Sequence, residues 1–209
     1  MSNEKKKKKS DIIIKIVIVA MVVALAATLC MKFYQIINGN KGVTKKSASL
    51  TEAEKLMNRN LDAKYPNTPT AVVDVYCSIT KELHGSYKKE LPQEQVTKLY
   101  SQLRVLMDDE LLKNNDYKKH LAKLNKELEQ YRKDKMFISR YTVQDHKEVK
   151  CYVQDDGKEY TKVQISYSIK KESNWLKQNE QVILRKDEDG RWKILGVEVS
   201  TATSDEDEE

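Results

Sequence analysis

Chemistry-bearing residues are scarce in this chain. Its 209 residues include three histidines, three cysteines and six glycines, and none falls in a pattern that carries a reaction. No CxxC pair or Cys/His cluster has the spacing of a metal site. The glycines are scattered, so no GxGxxG or other phosphate-cradling loop is formed, and there is neither an HExxH nor a Ser/His/Asp set. No cofactor and no metal are expected. Cys30 lies in an apolar run, which leaves only Cys77 and Cys151 able to pair in a soluble domain. Both read as small buried hydrophobes.

Concentrated positive charge is missing from the soluble part as well. The formal net charge is +6, but residues 1–49 hold ten lysines against Glu4 and Asp11, and residues 201–209 hold five acids and no base. With +8 at the head and −5 in the tail, residues 50–200 keep only +3. Nucleic-acid binders gather bases on one face or stripe, so nucleic acid is not an expected partner.

What the chain does have is one long apolar run. Residues 12–31, IIIKIVIVAMVVALAATLCM, carry a single charge, Lys15, near one end. Twenty residues at 1.5 Å each span about 30 Å, the thickness of a bilayer core. A cleaved signal peptide would have a shorter core ending in a small-x-small site. Here Ala24 and Ala26 sit inside the run, and its end, Leu29 to Phe33, is a poor site. A lipoprotein would want a small residue before Cys30, where Leu29 stands. We expect a cytoplasmic basic head at 1–11, a transmembrane helix at 12–32 and a tether at 33–49. An extracytoplasmic α+β domain at 50–200 and a disordered acidic tail at 201–209 should follow. Lys5 to Lys9 place the N-terminus inside.

Within the domain, helices come first. Thr51 and Glu54 form a capping box, followed by Ala53, Leu56, Met57 and Leu61 on one face. Thr68 caps a second helix with Pro69 at its first position, and Gly85 ends it. Pro92 opens a third, with Val96, Leu99, Leu103, Leu106 and Leu111 at helical spacing. After Asn114 and Asn115 a fourth carries Tyr117, Leu121, Leu124, Leu128 and Tyr131. Then the period shortens to two. Phe137–Val143, Val149–Val153, Val163–Ile169, Val182–Leu184 and Arg191–Val199 alternate, with turns at Asp156-Gly157 and Asp189-Gly190. The expected architecture is α+β, with three to four helices packed on a curved antiparallel sheet of four to five strands.

This order resembles the nuclear-transport-factor-2-like (cystatin-like) fold, and RKDEDGRWKILGVEV at 185–199 looks like its closing hairpin, with Trp192 and Ile194 packing inward. Residues 11–199 are similar to an uncharacterised group of clostridial single-pass membrane proteins, through phrases such as LTEAEKL, YPNTPTAVV, FISRYTV and LRKDEDGRWKILG. The resemblance implies a cone-shaped sheet wrapped on a long helix, and it supplies no activity.

Enzymes of the cone fold place an Asp or His and a Tyr in the cavity. The sequence offers Asp145, His146, Tyr141, Tyr152 and Tyr167 for these roles, but Asp145 and His146 fall in a polar loop, and Tyr141 and Tyr167 read as core tyrosines. His84 should cap its helix and His120 should be solvated. Trp175 stands in the turn KKESNWLKQ, either exposed as a contact anchor with Lys171 and Lys177 as its basic rim, or folded over the sheet edge. We expect a non-enzymatic binding module of a Gram-positive cell envelope, recognising a protein or a small apolar ligand. A homo-oligomer is compatible with this. The alternatives are a scaffold subunit of a conjugation- or secretion-type machine and a small-substrate acid–base enzyme.

Overall fold

The structure is a computed structural model that describes residues 50–200. The expected span, tether and basic head, and the acidic tail, lie outside the described residues. Among the described residues no helix is long and apolar enough to cross a membrane.

Five helices precede the sheet: α1 (Glu52–Met57), α2 (Pro69–Leu83), α3 (Gln93–Leu106), α4 (Asp109–Asn114) and α5 (Tyr117–Lys133). The capping box forms as expected. The Thr51 hydroxyl accepts from the Glu54 amide at 3.2 Å, and the Thr51 amide donates to Glu54 Oε2 at 2.8 Å. Thr68 accepts from the Ala71 amide with Pro69 behind it. After α2 the chain must turn away. A Cβ on Gly85 would lie 2.7 Å from the Lys81 carbonyl oxygen, so only glycine fits there. The third helix stops at Leu106, short of Leu111. Met107 swings into extended backbone and bridges Ile194, and Asp108 caps the separate α4. This extra helix makes five where three to four are expected.

The strands are β1 (Met136–Val143), β2 (Cys151–Val153), β3 (Glu159–Lys171), β4 (Asn174–Lys186) and β5 (Trp192–Ser200), all antiparallel. They do not form a simple meander. β1 and β2 both pair with β3, β2 along Glu159–Thr161 and β1 along Ile165–Lys171. The polar stretch after Val143 takes one 3-10 turn, His146–Glu148, and so breaks one edge strand into two. Bulges at Ser139 and Leu195 shift the register and bend their strands. The inward row of β3, Val163, Ile165, Tyr167 and Ile169, meets α2 residues Val72, Val75 and Ile79, and Trp192 and Ile194 close the core as expected.

Candidate functional site

The longest paired element is the β3–β4 hairpin, which runs to Lys171 and Asn174 around the turn Glu172-Ser173. Glu172 turns with φ 53°, in the left-handed region. Its amide meets the Lys135 carbonyl at 3.5 Å and its carboxylate meets Lys135 Nζ at 3.5 Å, which ties the tip to the start of β1. Antiparallel partners share a face. Phe137, Lys170 and Trp175 are partners in turn, so they form one row across the outer face, the one turned away from the helices.

Trp175 is therefore in β4, the second residue after the turn Glu172-Ser173, whereas the sequence sets it in the turn itself. It is 57% exposed, with Lys170 Nζ 5.5 Å from its ring centroid. Lys177 lies two residues along on the same face, opposite Ser168, whose hydroxyl meets Arg140 Nε at 3.1 Å. Lys171 does not belong to this group. Strand alternation sends it to the inner face, opposite Met136 and Asn174. Lys170 takes the place beside the indole that sequence proximity suggests for Lys171.

The inner face at the same end is open too. Leu176 is 45% exposed and Val199 66%. With Met136, Ile169, Lys177, Gln178 and Asn179 they line a hollow of about 430 Å³. One step further in, Glu180 is 8% exposed and accepts from Gln178 Nε2. Burial pushes its carboxyl above the ordinary carboxylate range, and the charge of Glu127 on α5 adds to the shift. Beside them, His84 Nδ1 meets the Thr80 carbonyl at 2.9 Å, and its Nε2 meets Glu127 Oε1 at 3.1 Å. The hydrogen bond from His84, then its charge, holds the Glu127 carboxyl below its usual range against desolvation. Tyr131 lies edge-on to the imidazole at 4.7 Å between centroids. His84 is the helix cap expected, with both nitrogens engaged, and it also fastens α2 to α5.

The sequence matches a family model over residues 1–197, described as a domain of unknown function (DUF6715). The chain belongs to the DUF6715 family. No curated protein matches it.

The other residues singled out in this DUF6715 chain do not gather into a site. Asp145 and His146 are exposed, in the loop expected, and the His146 ring meets Thr70 Oγ1 at 3.5 Å through Nδ1. Tyr141 is half-buried and its hydroxyl is satisfied by Ser78 at 2.7 Å and Asp74 at 3.0 Å. Burial pushes it up to about 12. Tyr167 is buried with its hydroxyl 3.4 Å from Cys77 Sγ. Tyr152 is exposed and stacks on Tyr160. Cys77 is buried as expected, and burial lifts its thiol to about 12. Cys151 is exposed, because β2 is an edge of three exposed residues; the two thiols are unpaired. His120 is not simply solvated. Its ring packs edge-on to Tyr100 with a buried, unpartnered Nδ1, and desolvation, then Arg104, lowers its pKa. Among the described residues no group of His, Cys, Asp and Glu is placed to hold a metal ion.

Glu180 and Glu127 are the residues that sequence reading passes over. The signal for Glu180 was present: it occupies an inward position of an alternating strand, in line with Val182 and Leu184. Glu127 gave none, since its partner His84 is 43 residues away.

Proposed function

We propose that the protein is a membrane-anchored binding module of a Gram-positive cell envelope. In this reading residues 12–32 span the membrane, the N-terminus is cytoplasmic and the α+β domain is extracytoplasmic. Helices on one face of a bulged antiparallel sheet are what a nuclear-transport-factor-2-like cone would have, and the family's unknown function leaves recognition to be argued from the surface. One observation carries the reading: large apolar side chains stand exposed on both faces of the free end of the β3–β4 hairpin. Trp175 lies outside and Leu176 inside, with Val199 beside them. Tryptophan gives large contact area at low entropic cost and dominates interface hot spots. Lys170, Lys177 and Arg140 supply the polar rim that such anchors have.

The partner is a protein that covers the indole. The hollow walled by Met136, Ile169, Leu176 and Val199 suits the second form of the reading, a small apolar ligand in the cone mouth. The test is co-purification from native membranes with full-length protein, intact or carrying Trp175→Ala. The substitution should weaken capture of a membrane or envelope protein by about 2 kcal/mol, roughly thirtyfold, with the unfolding midpoint unchanged. Equal recovery of every co-purifying protein would sink the surface reading.

A further inference from the structure

Among the described residues, the hairpin end has a free backbone edge as well as exposed side chains. β4 pairs with β3 along its whole length from Asn174, but the described part of β5 ends with Ser200 opposite Asn179. The five residues Asn174–Gln178 therefore have a strand on one side only among the described residues. Such an edge offers unpaired amides and carbonyls to any extended segment that reaches it.

The segment best placed to reach it is the one that directly follows β5, residues 201–209. We propose that residues 201–209 dock in cis on the hairpin, continuing β5 along the open edge of β4 and laying the acidic terminus on the lysines of the tip. The register already present dictates the partners. Pairing of Glu180 with Val199 and of Asn179 with Ser200 sets Thr201 opposite Gln178, and each step further sets one more residue. Ala202 then meets Lys177, Thr203 meets Leu176, Ser204 meets Trp175 and Asp205 meets Asn174. The residue types suit their faces. Thr201 and Thr203 are β-branched, favour strands and put methyl groups on the inner side, against the exposed Leu176. Ala202 and Ser204 are small and fall on the outer side, where they leave room for the indole.

Charge completes the fit. Asp205, Glu206, Asp207, Glu208 and Glu209 arrive at the hairpin tip, where Lys170, Lys171 and Lys177 stand. None of these lysines takes part in an ion pair among the described residues. The alternation that parts Lys171 from Trp175 here puts one cation on each side of the docked tail. The docking stands on register and charge alone, and it would hold if Trp175 met no partner. Where the binding reading is also right, the tail covers the same indole and competes with that partner.

The experiment is hydrogen exchange and acrylamide quenching on the full-length protein in detergent, compared with a chain ending at Ser200. A third protein carries Asp205→Asn, Glu206→Gln, Asp207→Asn, Glu208→Gln and Glu209→Gln. In the intact chain the Asn174–Gln178 amides that point away from β3 should exchange at least tenfold more slowly than in the shortened one. Trp175 should be quenched about twofold less, with Trp192 silent because it is buried. The neutralised tail should lose part of the protection, and 0.5 M salt should do the same to the intact chain, since salt screens exposed charges. Identical exchange and quenching in intact and shortened proteins would overturn the proposal. Protection that rises with protein concentration would overturn it too, by assigning the edge to a second copy. Neither readout depends on a partner, so loss of partner capture in Trp175→Ala and loss of tail docking are separate results.

Discussion

At the scale of single residues, the least comfortable group is Glu180. Its neighbours on the inward row of β4 are Val182 and Leu184, and its charged form meets Glu127 across the gap to α5. The folded protein therefore holds this proton to higher pH than the unfolded chain, whose ordinary value is 4.5. Stability from this group is greatest where both states are protonated, below that value, and falls as pH rises through it toward the folded pKa. Glu180→Gln keeps the acceptor for Gln178 and cannot ionise. It should stabilise the fold by roughly 1 kcal/mol at pH 7, the scale of a poorly compensated buried polar group, with the gain vanishing by about pH 4. Urea unfolding of the full chain, followed by tryptophan emission at both pH values, checks this. A variant less stable than the parent at pH 7 would make the carboxylate a favourable partner of His84 instead. The reason sequence reading passed over Glu180 is physical. Alternation tells which face a side chain takes, but not that a second carboxylate waits opposite on a helix more than fifty residues earlier. Trp192 was legible for the converse reason: a large apolar residue on an inward strand position can only be core, and it is 5% exposed.

At the scale of elements, what local patterns announce is borne out best. The capping box, the Thr68-Pro69 start, the Gly85 stop and the Asp-Gly turns all depend on residues within four of one another. What fails is set from far away. The third helix has a periodicity that would carry it to Leu111, yet it ends at Leu106. There the Asp108 amide donates to the Ile194 carbonyl at 2.8 Å, and the Asp108 carboxylate takes the guanidinium fork of Arg185, 77 residues on. Arg185 also reaches Glu110 at 3.2 Å. The Asp108 carboxylate, by hydrogen bond and charge, pushes the guanidinium pKa further up. The two side chains are 6% and 15% exposed, so the pair is desolvated and each partner needs the other. Asp108→Ala should cost about 3–5 kcal/mol by leaving Arg185 with the solvated Glu110 alone. Asp108→Asn, which keeps the cap of α4, should cost less. The urea midpoint of each variant decides. A loss under about 1 kcal/mol for Asp108→Ala would mean that water reaches the guanidinium and that the break after Leu106 has another cause. The hairpin end shows the same division. That Trp175 stands near a turn was readable from spacing, whereas which lysine shares its face depends on where the two-residue turn falls. A shift of one residue exchanges Lys171 for Lys170.

At the scale of the whole molecule, the core of residues 50–200 is built from its own helices and strands, and four of its five helices, all but α3, carry a side-chain N-cap. The run at 12–31 lies outside the described residues, and its sequence is apolar at eighteen of twenty positions, whereas an amphipathic surface helix has one apolar face. In the anchored reading proposed above, its length would suit a bilayer core and its basic flank would favour a cytoplasmic N-terminus. The prediction is that residues 12–31 remain attached to the protein recovered from membranes, because no small-x-small site follows the run where a peptidase would cut. Intact mass of the full-length product, with N-terminal sequencing, should return a chain that includes the run, and carbonate washing should leave it in the membrane pellet. A mature N-terminus between about residues 27 and 33 would instead make the run a signal peptide. The hairpin end would then belong to a released domain, and partner capture by Trp175 would have to be sought in the medium.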